Sequence, residues 1–259
     1  MPPADRAPRV ATVTDSWQNR TLADSFGTAA SAYEQGRPEY PDEAIAWLIG
    51  DAARVVDVGA GTGKLTRVLV RLGRDVVAVE PDAGMRTLFE AAVPGVKVLN
   101  GSGERIPLPD ASCDAITLGQ AWHWVDPIAG SLEAGRMLAD GGVLGLVWNT
   151  KDQSVDWVRR LAEITGDAVG EIMANSPEPP PYGPPFTSAE ARVWTWLRQM
   201  TPGDIVAMVA SRSATITAPD AERAAVLASV QHLLTTHPDL AGRDVIDVPY
   251  VTVAWRVTR

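Results

Sequence analysis

The sequence predicts an α/β fold built on a parallel, doubly wound sheet. From Arg54 onwards, short β-rich apolar runs alternate with helical patterns, and a glycine turn joins the first run to the first helix. Strands that alternate with crossover helices form parallel sheets, and strands buried on both faces are continuously apolar. The predicted strands of this part are residues 54–58, 75–79, 96–99, 113–118 and 143–148.

The crossover helices are predicted from apolar residues at helical spacing. Leu65, Val68 and Leu69 mark the helix after the first strand, and Ile128 and Leu132 mark the helix before the fifth. The first of these helices therefore carries one apolar stripe that can pack on the sheet.

The regular alternation of short strands and helices ends after residue 150. Residues 155–173 look helical, and six prolines then interrupt the chain between residues 176 and 185. Trp194 and Trp196 lie two residues apart, as on one face of a strand, and residues 245–257 contain a closing strand. The proline-rich segment fits either a plain linker or a lid beside the pocket.

Composition favours a protein that acts on small molecules in the cytoplasm. The 259 residues carry a net charge of -9 without a basic tract, which disfavours a nucleic-acid partner. No apolar run approaches the roughly 18 residues of a membrane span. The one cysteine excludes an internal disulfide, and the N-terminal residues lack a secretory apolar core. Cysteine and histidine spacing predicts no metal site.

Residues 55–66 read VVDVGAGTGKLT, a strand, a glycine turn and the start of a helix. Such a turn lets the backbone pass close to a ligand and directs free N–H groups toward it. Its alternating glycines are Gly59, Gly61 and Gly63. A dinucleotide fingerprint would need a glycine at Lys64, and a P-loop would need a glycine at Val58 and a hydroxyl at Leu65. The spacing therefore disfavours both motifs.

The G-x-G-x-G turn, with Asp57 before it and Glu80 ending the next strand, resembles the first motif of class I S-adenosylmethionine-dependent methyltransferases. The segments IPLPDASCDAITLGQAWHW and MLADGGVLGLVWN resemble the type 11 small-molecule branch, with Ala139-Asp140 replacing the usual residues before the turn. YEQGRPEYP, residues 33–41, is similar to the N-terminal segment of trans-aconitate-methyltransferase-like proteins.

This resemblance implies a Rossmann-like, seven-stranded mixed sheet that is mostly parallel, with an antiparallel last strand and a helical cap. Residues 1–32 would form a flexible leader and first helix, and 33–150 the cofactor-binding core. Residues 151–245 would form the cap and one core strand near 191–199, and 246–259 the final strand. The implied activity is methyl transfer to an oxygen or nitrogen of a small-molecule acceptor.

The implied cofactor is S-adenosyl-L-methionine, which leaves as S-adenosyl-L-homocysteine. Glu80 would hold the ribose, Arg37 and Tyr33 the methionine carboxylate, and the Gln120 carbonyl the amino group. The full predicted cofactor site consists of Tyr33, Arg37, Asp57, Gly59, Ala60, Gly61, Gly63, Glu80, Pro81, Met85, Gly103, Glu104 and Gln120.

His123 lies between Trp122 and Trp124, just past the fourth strand. That edge of a parallel sheet binds ligands, so we expect His123 to act as a general base or to orient the acceptor. The two tryptophans would form pocket walls, although core packing explains such residues equally well. Two other functions stay open, a non-catalytic cofactor-binding protein and a nicotinamide-dependent oxidoreductase.

Overall fold

The computed structural model describes residues 38–166, 176, 178–212, 215–216 and 218–259. The helices are α1 (Asp42–Ile49), α2 (Lys64–Arg71), α3 (Ala83–Ala92), α4 (Pro127–Met137), α5 (Asp156–Thr165), α6 (Pro202–Ala210) and α7 (Asp220–Thr236). The strands are β1 (Arg54–Val58), β2 (Asp75–Val79), β3 (Lys97–Leu99), β4 (Cys113–Gly119), β5 (Leu138–Lys151), β6 (Ser188–Met200) and β7 (Ile246–Thr258). Among these residues, no helix is long and apolar enough to cross a bilayer.

The strands form one sheet in the order β3-β2-β1-β4-β5-β7-β6. Strands β1 to β5 pair in parallel, and β7 runs antiparallel to both of its neighbours. The prediction of a mostly parallel mixed sheet with an antiparallel last strand is confirmed. The chain moves outward in opposite directions from β1 and β4, so the switch point lies between them, where ligands bind in such sheets.

Alternating residues of the central strands pack into two apolar clusters on opposite faces. Val55 contributes to the cluster with α1 and α2, whereas Val56 contributes to the cluster with α4. On β5, Val147 and Trp148 divide in the same way. Since successive side chains of a strand point to opposite faces, helices cover the sheet on both sides.

Strand β5 is longer than its apolar run predicts. It begins at Leu138 and continues through Gly141, whose φ of 77° accommodates a step in the strand. The pairing with β4 shifts register at this place, between Cys113 and Ala115. The glycine step is therefore an irregularity inside the strand, not a turn that precedes it.

The cap range 151–245 contains α5, α6, α7 and β6. These helices share an apolar cluster with the adjoining ends of β6 and β7, including Trp157, Met200, Ile205 and Val248. The ends of β6 and β7 thus carry the cap, because they extend to the edge of the sheet where the parallel strands end. Residues 1–37, which hold the predicted leader and first helix, lie outside the described residues.

The described part of the proline-rich segment is docked. We call residues 178–187 the proline strap. The indole Nε1 of Trp122 donates to the Pro181 carbonyl at 2.8 Å, and the Gly183 N–H donates to Ser131 Oγ at 2.9 Å. Phe186 is buried in the apolar cluster that contains Val56 and α4, which we call the main core. The strap therefore fastens the start of β6 to α4 and to the turn that carries His123.

Candidate active site

The glycine turn between β1 and α2 is tied to the end of β2. The N–H groups of Gly59 and Ala60 donate to the Val79 carbonyl at 2.8 and 3.2 Å. The Gly61 N–H donates to Glu80 Oε2 at 2.9 Å. These bonds fix the turn next to the predicted ribose-binding acid.

The three glycines differ in their surroundings. A Cβ on Gly59 would lie 2.6 Å from Ala121 Cβ, and one on Gly63 would lie 2.4 Å from Val93 Cγ2. A Cβ on Gly61 would meet nothing within 4 Å. Gly59 and Gly63 therefore permit close packing, whereas Gly61 borders open space.

That open space is a cavity at the switch point. The glycine turn lines it together with Pro38, Tyr40, the end of β4 and Asn149 near the end of β5. Tyr40 covers the end of β4 closely, since a Cβ on Gly119 would lie 2.7 Å from Tyr40 Oη. The cavity thus lies at the carboxyl edge of the sheet, where the sequence predicts the cofactor.

Asp57, near the end of β1, lines the cavity. It is 1% exposed, and its carboxylate accepts bonds from Thr66 Oγ1 at 2.5 Å and Thr117 Oγ1 at 3.3 Å. Burial raises the pKa of Asp57 to about 7, although the two hydroxyl donors oppose the rise. Asp57 is therefore poised to gain or lose its proton near neutrality.

Glu80 is the second buried acid. Its two carboxylate oxygens accept the N–H groups of Gly61 and Asp82, each at 2.9 Å. Burial raises the pKa of Glu80, and the two backbone donors act in the opposite direction. Since each carboxylate oxygen accepts about two hydrogen bonds, the group retains capacity for two hydroxyl donors.

Other predicted residues follow β2 and β3. Pro81 precedes α3, and Met85 in its first turn is buried. A Cβ on Gly103 would lie 2.6 Å from Val125 Cγ2, and Glu104 Oε1 accepts the Asp126 N–H at 3.0 Å. The loop after β3 is thus fastened to the segment that follows Trp124.

Gln120 has a φ of 59°, which is uncommon for a residue other than glycine. Its backbone N–H donates to the Val147 carbonyl at 2.9 Å, and its side-chain Nε2 donates to the Asn149 carbonyl at 2.7 Å. The chain therefore turns sharply at the cavity wall, and two hydrogen bonds hold the residue to β5.

The tryptophan–histidine turn is a short 3₁₀ segment, Trp122–Trp124. Trp122 is 2% exposed and packs in the main core, so its ring anchors the turn to the core. His123 is 9% exposed, and its ring lies 4.8 Å from the partly exposed ring of Trp124. Of the two tryptophans, Trp124 is thus the one that partly faces the surface.

Sequence reasoning missed Asn149, which lines the cavity at the end of β5. Its Nδ2 donates to the Glu39 carbonyl at 3.1 Å, and its Oδ1 accepts from Thr252 Oγ1 at 2.6 Å. The available signal was a polar residue directly after the apolar run of residues 143–148. Tyr33 and Arg37, predicted for the cofactor carboxylate, lie outside the described residues. Within the described ranges, no cluster of three acidic, histidine or cysteine side chains could hold a metal.

Comparisons with known proteins agree with this geometry. Residues 56–146 match the family described as Methyltransferase domain. An uncharacterised methyltransferase of Mycobacterium bovis is 48% identical over 92% of this chain and 97% of its own length. A methyltransferase-like protein of Schizosaccharomyces pombe is 30% identical over 89% of this chain and 94% of its own. A solved structure assigned as a type II methyltransferase of Anaeromyxobacter dehalogenans shares the fold with a TM-score of 0.64. The two sequences are 22% identical, and the match covers 86% of this chain and 97% of the other. The chain belongs to the class I S-adenosylmethionine-dependent methyltransferases.

Proposed function

We propose that this methyltransferase binds S-adenosylmethionine in the cavity at the switch point and methylates an oxygen or nitrogen of a small-molecule acceptor. The observation that carries the proposal is the Glu80 carboxylate. It is held by the N–H groups of Gly61 and Asp82, and Gly61 lines the cavity and has open space beside it.

The residues present fit this cofactor. Glu80 can accept both ribose hydroxyls, and the loop at Gly103 and Glu104 with Met85 would border the adenine. Asp57, the glycine turn and the Gln120 carbonyl would surround the methionine part. Tyr33 and Arg37 complete the proposed site, because a planar guanidinium suits a carboxylate.

The bound cofactor supplies an activated methyl group on a sulfonium. The remaining task of the protein is to hold the acceptor atom in line with the methyl group and to exclude water. His123 is our proposed base for a hydroxyl or ammonium acceptor, since a histidine can take a proton near neutral pH. For a carboxylate acceptor, which carries no proton to remove, His123 would only orient the group.

A small acceptor is favoured by the charge and by the cap. The chain carries a net charge of -9, which disfavours a nucleic-acid substrate. Helices α5 to α7 pack at the sheet edge that holds the cavity. The single, buried Cys113 is consistent with a cytoplasmic location.

The test is a calorimetric titration with S-adenosylhomocysteine, alongside NADH. We expect micromolar binding of the first ligand alone, and Glu80→Ala should weaken it at least about tenfold, or about 1.4 kcal/mol. Glu90→Ala, at an exposed position of α3, is the matched control. Unchanged affinity of the Glu80 variant would refute the ribose assignment, and no binding by the wild type would refute the cofactor site. Transfer of labelled methyl groups to an acceptor would then separate an enzyme from a non-catalytic binding protein.

A further inference from the structure

A chain of hydrogen bonds crosses three strands and ends at the cavity wall. Trp196 Nε1 on β6 donates to Thr252 Oγ1 on β7 at 2.9 Å. Thr252 Oγ1 donates to Asn149 Oδ1 on β5 at 2.6 Å, and Asn149 Nδ2 donates to the Glu39 carbonyl at 3.1 Å. Asn149 and Thr252 are direct cross-strand partners, so their side chains share one face of the sheet.

The chemistry of each group fixes the direction of this chain. An indole N–H can only donate, so Thr252 Oγ1 accepts from Trp196 and uses its own proton toward Asn149. Asn149 therefore presents its oxygen to Thr252 and its NH₂ to Glu39. A flipped amide would place its oxygen against the Glu39 carbonyl, so that two acceptors would face each other.

Burial makes this arrangement costly to break. Thr252 is fully buried and Asn149 is 8% exposed, so water does not readily replace a lost partner. The Trp196 ring stacks on Tyr250 at 4.9 Å, and the Tyr250 hydroxyl lies 3.5 Å from Met208 Sδ of cap helix α6. The chain of bonds thus begins at the cap and ends at the cavity.

Asn149 joins two walls of the cavity. Its side chain holds the carbonyl of Glu39, between the cavity-lining Pro38 and Tyr40, and its own carbonyl holds the Gln120 side chain. We propose that Thr252 and Trp196 are positioning residues, which orient Asn149 and through it both walls of the cofactor cavity. This inference rests on the proposed function and assigns a role to residues outside the cofactor contacts.

The test replaces Thr252 by valine, which keeps the shape and removes both bonds. The Kd for S-adenosylhomocysteine should rise about threefold to tenfold, which is the range expected if the free energy of about one of the two lost hydrogen bonds is transmitted to the cavity. Thr252→Ser should restore the wild-type Kd. Thr150→Val is the matched control, since Thr150 is a buried threonine of β5 on the opposite face, and its Kd should stay within about twofold.

A second readout needs no cofactor. Amide hydrogen exchange of peptides covering residues 38–49 should be faster in Thr252→Val than in wild type or Thr150→Val. If Thr252→Val fails to fold, Trp196→Phe removes the N–H donor together with one ring of the indole and keeps an aromatic ring on Tyr250. The Kd and the exchange rate should then change in the same directions as in Thr252→Val, by smaller amounts.

The outcomes separate the two proposals. If Thr252→Val lowers the melting temperature but leaves the Kd and the exchange rate unchanged, these hydrogen bonds only stabilise the fold, and the positioning role is overturned. Failure of wild-type protein to bind S-adenosylhomocysteine would overturn the proposed function. The exchange comparison would still decide whether Thr252 holds the segment at Glu39.

Discussion

The buried carboxylate of Asp57 should make stability depend on pH. Its pKa is about 7 in the folded protein against an ordinary value of 3.8. Below pH 4 the group is protonated in both states, and above pH 7 it is charged in both. Between these limits the folded state keeps a proton that the unfolded state releases, so the contribution of Asp57 to stability falls as pH rises from about 4 to 7.

The magnitude follows from that difference. The pKa of Asp57 differs by about 3 between the folded and unfolded states, and one pKa unit corresponds to about 1.4 kcal/mol. The charged carboxylate therefore lowers the free energy of unfolding by about 4 kcal/mol at pH 8. Asp57→Asn removes the charge and keeps the size and a carbonyl acceptor. In the absence of cofactor, the variant should therefore be more stable than wild type at pH 8, by up to about 4 kcal/mol, and close to wild type at pH 4.

Urea unfolding of both proteins at pH 4, 6 and 8 measures this difference. Asp51→Asn, at an exposed position after α1, is the control and should show no such pH-dependent gain. A stability difference for Asp57→Asn that is the same at pH 4 and pH 8 would refute the reasoning. The variant should also bind S-adenosylhomocysteine more weakly, because it lacks the charge proposed to face the methionine part.

Three further substitutions test the packing of the site. Gly63→Ala places a methyl group against Val93 at a φ of 88° and should lower the free energy of unfolding by about 2–4 kcal/mol; Val93→Ala should recover part of the loss if the clash is its cause. Gly61→Ala meets no neighbour, so it should cost only about 1–2 kcal/mol for its backbone conformation, yet weaken S-adenosylhomocysteine binding in calorimetry; unchanged affinity would mean that the ligand lies elsewhere. Trp122→Phe loses the bond to the Pro181 carbonyl and part of the packing of a buried ring, so it should cost about 2–4 kcal/mol and speed proteolysis within the proline strap. An unchanged cleavage rate would show that this bond does not hold the strap.

Local patterns were sufficient for the first parallel strands and for the glycine turn. Strands β1 and β2 have the predicted bounds, because a continuous apolar run between polar ends defines a buried strand. The alternation of Gly59, Gly61 and Gly63 separated this turn from two other nucleotide-binding motifs. Only the structure showed that a Cβ on Gly59 or Gly63 would collide with a neighbour, whereas Gly61 borders open space.

The sequence left the roles of several residues open. Trp122 could be a pocket wall or a core residue, and in the structure it is 2% exposed and donates to the Pro181 carbonyl. The proline-rich segment could be a linker or a lid, and its described residues are docked on α4. Both of these hydrogen bonds join residues more than fifty positions apart, so no local pattern contains them.

The sequence by itself determined the order of strands and helices, the glycine turn and the acid at the end of β2, because each depends on neighbours along the chain. The tertiary structure alone brought Asn149, Thr252 and Glu39 together, across 103 and 110 residues of chain. It also set the pKa of Asp57, because that depends on how completely the folded protein removes the carboxylate from water. Spacing along the chain encodes the elements, whereas burial and long-range hydrogen bonds exist only once those elements have packed.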